Sequence, residues 1–195
     1  MTRFLFWLIS ITLLLSLSCA KQTTPTGGPK DTIPPTLLQS IPPNKSTHLH
    51  TNTLTLLFDE YVQLDNPREQ LLITPTISPD DIEVIAQKKR VTLTLKVPLD
   101  SNTTYAFNFR DAVKDVTERN PVENLILAYS TGSYIDSLQI TGTTKRALTN
   151  APIENATIAL VPYSDTFNIF KHKPIYITKA DKLGKFVIQN LKPDS

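Results

Sequence analysis

Val91-Thr92-Leu93-Thr94-Leu95-Lys96-Val97 places an apolar residue at every second position, with Thr or Lys between. A strand turns successive side chains to opposite faces, so this spacing puts Val91, Leu93, Leu95 and Val97 on one side of a sheet. A helix would scatter the same residues around its circumference. A slip of one residue would turn the whole apolar set to water, so the pairing register is strongly specified. The period recurs outward from this stretch. Leu54, Leu56 and Phe58 share one face, with Thr53 and Thr55 on the other, and Ile82 and Val84 flank Glu83. Tyr105, Phe107 and Phe109 form another such set, and Leu125, Leu127 and Tyr129 a further one. Breaks such as Asn44-Lys45-Ser46 and Asp100-Ser101-Asn102 separate the runs. Short alternating strands with regular turn signals predict a β-sandwich. Burying one such side chain contributes about 1.5–3 kcal/mol.

Composition agrees. The 195 residues hold 15 prolines and only 5 glycines, which suits strands joined by stiff turns. No long amphipathic helical pattern is present, and the expected class is all-β. Lys plus Arg number 20 against 18 Asp plus Glu, a balance that gives no general electrostatic pull toward nucleic acid. Cys19 is the single cysteine, so no intramolecular disulfide is available and apolar burial must hold the fold.

Alternation resumes after Gly132. Leu138 and Ile140 alternate with Gln139 and Thr141, Ile158 and Leu160 with Thr157 and Ala159, and Phe186 and Ile188 with Val187 and Gln189. Gly184 suits a turn position of positive φ, and the Asp181 carboxylate can accept turn N–H groups.

These pieces carry two resemblances. Ile33-Pro34-Pro35 at entry, Ile41-Pro42-Pro43-Asn44, Leu57 to Val62 (LFDEYV), Leu99 to Tyr105 (LDSNTTY), Asp111 to Asn120 (DAVKDVTERN) and Tyr129 to Gly132 (YSTG) resemble the bacterial Ig-like domain of the SbsA type. Glu118-Arg119 stands where that family often has glycine. Ile140 to Thr143 (ITGT), Ala151 to Ile158 (APIENATI), Asp181 to Phe186 (DKLGKF) and Asn190 to Pro193 (NLKP) resemble the carboxypeptidase regulatory-like, or transthyretin-like, module. Asn155 there takes a glycine position, and Asn tolerates the left-handed backbone well. The second family continues with a glycine, a tyrosine and one more strand, so the second sandwich is expected to be truncated. The implied organisation is two tandem sandwiches: residues 33–132 Ig-like and 133–195 transthyretin-like, joined near Gly132 to Asp136.

The N-terminus reads as an address. Phe4 to Leu17 is an apolar run after Arg3, followed by Ser18 and Cys19. It is short for a membrane span, which needs about 20 apolar residues, and has the layout of a cleaved leader. Leu15 to Cys19 (LSLSC) resembles a lipobox, with Ser16 where a Leu, Val or Ile is usual. The resemblance implies lipidation at Cys19, with diacylglycerol on sulfur and an N-acyl chain such as palmitate after removal of residues 1–18. The alternative is an ordinary secretory leader with an incidental cysteine. Residues 19–32, rich in Thr, Pro, Gly and Lys, read as a disordered tether spanning roughly 20 Å and up to about 40 Å extended. Lys21 stands where an Asp would favour inner-membrane retention, so the resemblance implies the outer membrane. With no acidic cluster after Cys19, a periplasm-facing anchor is favoured over the cell surface.

Residues that could carry chemistry are few. No P-loop, nucleophile elbow, zinc-protease helix or dinucleotide fingerprint occurs. His48 and His50 share a strand spacing that suits a metal, without a third ligand nearby. Asp111, Asp115 and Glu118 could line a calcium loop, or serve as turn formers in a solvated connection. Asp59 and Glu60 are adjacent, so on a strand they point apart and make no carboxylate pair. Phe167 and Phe170, with Tyr163 and Tyr176, flank a polar loop; exposed, they would mark a partner or glycan surface, and packed, a core edge. Asp31-Thr32-Ile33 and Asp136-Ser137-Leu138 resemble an O-glycosylation motif of some Gram-negative envelopes. No catalytic residue and no cofactor beyond the covalent lipid are expected. The expected role is a lipid-anchored, non-catalytic spacer or interaction module, held to the membrane and meeting an envelope protein or glycan. The alternatives are an accessory segment of a larger envelope enzyme or assembly factor, and a glycan-binding module.

Overall fold

The computed structural model describes residues 28–161, 163, 168 and 173–193, and in it the alternating runs become strands. In chain order they are β1 (Leu37–Ile41), β2 (Thr53–Phe58), β3 (Val62–Leu64), a short helix α1 (Pro67–Gln70), β4 (Leu72–Thr74), a 3-10 turn (Pro79–Asp81), β5 (Ile82–Gln87) and β6 (Arg90–Leu95). There follow β7 (Thr104–Asn108), β8 (Val113–Asp115), β9 (Ile126–Ser130), β10 (Leu138–Thr143), β11 (Thr157–Leu160), β12 (Tyr176–Lys179) and β13 (Lys185–Leu191). Every described pairing between these strands is antiparallel, and the protein is all-β.

One sheet runs β1-β2-β6-β5 and the facing one β4-β7-β9. Register puts Leu54 opposite Leu93 and Leu56 opposite Val91. In the facing sheet Ile73 lies opposite Phe107, and Phe107 opposite Leu127. These residues, with Phe58, Leu95, Tyr105, Phe109 and Tyr129, are the buried core. Phe107 and Tyr129 meet edge to face with ring centroids 5.9 Å apart, a geometry the aromatic quadrupole favours. Val97 falls past the end of β6 and is only half-buried. Asp59 and Glu60 likewise lie just beyond β2. Asp59 closes the sandwich entrance, accepting the Thr36 N–H at 2.8 Å.

Two motifs lock ends of the sandwich. In Leu99 to Tyr105 the Tyr105 hydroxyl accepts the Asp100 N–H at 3.0 Å and donates to the Asp100 carboxylate at 3.1 Å. Burial raises the Tyr105 pKa. After β1, the Asn44 side chain accepts the Ala128 N–H at 2.9 Å and the Lys45 N–H donates to Ala128 O at 2.8 Å. This loop covers the outer edge of β9, which would otherwise offer unpaired backbone groups.

The later strands form two pairs, β10 with β13 and β11 with β12. The turn chemistry is as the sequence requires. Gly184 has φ 72° and Asn155 φ 58°. One Asp181 oxygen accepts the N–H groups of Leu183 and Lys185, each at 2.8 Å. Phe186 and Ile188 turn inward while Val187 and Gln189 are exposed. Leu138 and Ile140 depart from expectation: both are exposed, at 52% and 43%. Ile140 pairs with Ile188 and shares its face, but the β10 end of that face is only partly covered by the described residues.

Candidate functional site

The acidic loop is built from β8 outward. Asp115 ends β8, is 2% exposed, and turns its carboxylate under the loop that follows. One oxygen accepts the N–H groups of Glu118 (2.7 Å) and Arg119 (2.9 Å). The other accepts that of Asn120 at 2.8 Å. Burial pushes the Asp115 pKa up, but the three backbone N–H bonds, together with a hydrogen bond from the Asn120 side chain, outweigh it and hold the carboxyl below its ordinary range. Gln63 donates to Asp115 O at 2.8 Å and ties the loop to β3. Asp111 is exposed and Glu118 half-exposed. The Asp115 oxygens thus work as a cap for backbone N–H groups. Among the described residues no three His, Cys, Asp or Glu side chains are grouped to hold a metal ion. Arg119, standing where glycine is common, adopts φ 65°, the left-handed backbone that such a glycine would supply. Its guanidinium reaches Asp65 at 3.1 Å, beside Lys114 at 2.6 Å. The Lys114 hydrogen bond, with the charges of Lys114 and Arg119, lowers the Asp65 pKa against the opposing effect of burial.

His48 and His50 are both exposed. His48 takes φ 52°, and its N–H donates to Gly132 O at 2.8 Å. The two do not share a strand, because β2 begins at Thr53. Tyr163 is fully exposed, and Tyr176 is half-buried with its hydroxyl accepting the Lys192 N–H at 3.2 Å. Thr32 and Ser137 are exposed, whereas Asp136 is buried. Cys19, Phe167 and Phe170 lie outside the described residues.

A groove of about 580 Å³ opens between α1 and β5, where the two sheets of the sandwich part. Leu71, Ile73, Ile77, Ile82 and Val84 form its apolar floor, and Arg68, Glu69, Glu83 and Lys96 its rim. Arg68 and Asp80 pair at 3.3 Å on the exposed lip. The lining includes no Ser, Thr, Cys, His or Tyr, so it carries no hydroxyl, thiol or imidazole group. It can hold an apolar group beneath charges of both signs. Nothing in the sequence pointed to it, because α1, β4, the segment around Ile77, β5 and Lys96 each contribute only one or a few residues.

A family model described as the bacterial Ig-like domain matches residues 31–131. No curated protein matches the chain. Among solved structures, the N-terminal part of the bacterial S-layer protein SbsC is similar at 15% identity and TM-score 0.34, covering 80% of this chain and 33% of that one. The chain thus spans a third of that structure's length. An L,D-transpeptidase from Mycobacterium smegmatis is similar at 10% identity and TM-score 0.36, covering 76% of this chain and 74% of that one. BcpA, the major pilin subunit of Bacillus cereus, is similar at 14% identity and TM-score 0.23, covering 80% and 56%. Likenesses this distant carry no argument about function. The family match takes in more than half of the chain, from the entry prolines through β9, and the chain belongs to the bacterial Ig-like domain family.

Proposed function

We propose that this protein is a lipid-anchored envelope component whose Ig-like domain serves as a non-catalytic spacer and interaction module. The observation that carries the reading is the order of parts. An apolar run, Phe4 to Leu17, is followed by Ser18 and the single cysteine, a polar segment comes next, and the match to the bacterial Ig-like domain starts at residue 31. Acylation of Cys19 supplies the anchor, and more than one chain is needed, since a single acyl chain binds a bilayer only marginally. Lys21 directs the mature protein to the outer membrane, with the domains facing the periplasm. The second unit is a transthyretin-like module, and the partner is an envelope protein or glycan.

Intact mass and membrane fractionation of the wild type beside Cys19→Ser test this. The wild type is expected to carry a diacylglycerol and N-acyl mass increment and to pellet with outer membrane, while Cys19→Ser does neither. An unmodified thiol on a soluble wild-type chain would overturn the anchor and the tethered-spacer reading with it.

A further inference from the structure

The strands after Gly132 do not merely follow the Ig-like sandwich. β12 packs beside β4, and β13 beside β7. The outward-facing Thr74, Thr104 and Ala106 of the β4-β7-β9 sheet are consequently buried, as are Thr178 of β12 and Ile188 of β13. Among the described residues, three sets of hydrogen bonds join the units. Thr76, just past β4, donates its N–H to Ile175 O at 2.8 Å. Arg110, just past β7, donates from Nη2 to the Asn155 side-chain oxygen at 2.9 Å. Asp136 belongs to the connection itself. Its N–H donates to Thr104 Oγ1 at 2.9 Å and its carbonyl accepts from Asn190 Nδ2 at 2.8 Å.

The topology separates these attachments. β4 and β7 are antiparallel with Thr74 opposite Ala106, so Thr76 and Thr104 lie toward one end of the sheet on neighbouring strands. Arg110 lies at the other end of β7, about 20 Å away at roughly 3.4 Å per residue. Two points at one end would leave an axis about which the second unit could roll, and the third point stops that motion. A hinge also needs a connector free of both units, and the Asp136 backbone is bonded to each.

We propose that β10 to β13 are held at one orientation on the Ig-like sandwich by these three attachments, so that the two units act as a single stiff strut. Relative motion is the default for domains joined by modest interfaces, and the stapled connector is what removes it here. The spacer reading asks only for reach. A strut adds direction, so whatever binds the second unit meets it at a fixed angle to the first.

The test is a pulsed electron paramagnetic resonance distance between spin labels at Gln87→Cys and Lys182→Cys, both exposed positions, in the full chain carrying Cys19→Ser. That background leaves no native thiol and no anchor, so the outcome is independent of the lipidation reading. The wild-type interface is expected to give one narrow distance distribution. Asn155→Gly with Asn190→Gly keeps the left-handed backbone at both sites, removes two of the bonds, and is expected to widen the distribution at least twofold. A broad or two-peaked distribution in the parent would overturn the proposal, as would an unchanged width in the folded variant. Should the variant not fold, the parent width still decides.

Discussion

Asp115→Asn isolates a single feature of the Ig-like loop. The carboxylate accepts three N–H groups, two on one oxygen and one on the other. An asparagine can keep its oxygen on Glu118 and Arg119, but its amide then meets the Asn120 N–H donor to donor. The Asn120 backbone bond to a charged acceptor is lost, worth about 1.5–3 kcal/mol, the Asn120 side chain can turn its own amide oxygen to the new amide, and the other two bonds lose their charge assistance. Arg119 is exposed and Glu118 and Asn120 half-exposed, so water replaces part of what is lost. We expect a net destabilisation of about 2 kcal/mol at pH 7, roughly thirtyfold in the ratio of folded to unfolded chain. The pH dependence supplies a second check. The folded-state pKa of Asp115 lies below the ordinary 3.8. Its contribution is therefore fully present above the unfolded value and is lost as pH falls through the lowered folded value. Asp65 is shifted in the same direction and titrates in both proteins, so the difference between them reports Asp115. Urea unfolding at pH 7 and at about pH 2.5 should show the gap between wild type and Asp115→Asn shrinking with acid. A gap that stays constant with pH, or an Asp115→Asn as stable as wild type at pH 7, would show that the Asp115 carboxylate does not hold this loop.

Two further perturbations follow from the glycines of the second unit. Gly184→Ala would place a Cβ 2.5 Å from Thr144 O at φ 72°, and should lower stability by at least about 1 kcal/mol in thermal melts. Gly142→Ala would set its Cβ 2.5 Å from the Phe186 ring, which lies over the glycine. It should cost about 1–3 kcal/mol, and combining it with Phe186→Leu should cost less than the sum of the two single changes, measured as a double-mutant cycle.

The acidic loop was legible as a family motif but not as a mechanism. Asp111, Asp115 and Glu118 within ten residues admit a cation site or a turn, and only the aim of the Asp115 oxygens at three backbone N–H groups makes the loop a cap. Arg119 illustrates the same limit. Its side chain argues against a glycine-like position, yet its backbone adopts one while its guanidinium pairs with Asp65. The groove beside α1 was illegible, because a concavity between two sheets has no local sequence pattern.

Alternation alone identified the core strands. Leu54, Leu56, Phe58, Val91, Leu93 and Leu95 are buried as their spacing requires, because the period of a strand is set by backbone geometry within one segment. Gly184, Asn155 and Asp181 were readable for the same local reason, each answering the needs of its own turn. What period two cannot say is what lies against a face. β7 reads as half-buried, yet Thr104 and Ala106 are buried along with Tyr105 and Phe107, because β13 lies against its outer side. β10 carries an alternating pattern and stays exposed at Leu138 and Ile140, because the described residues cover that end of the sheet only in part. Which residues share a face is a property of the strand; whether the face is dry depends on elements far away in sequence, and only their packing decides it.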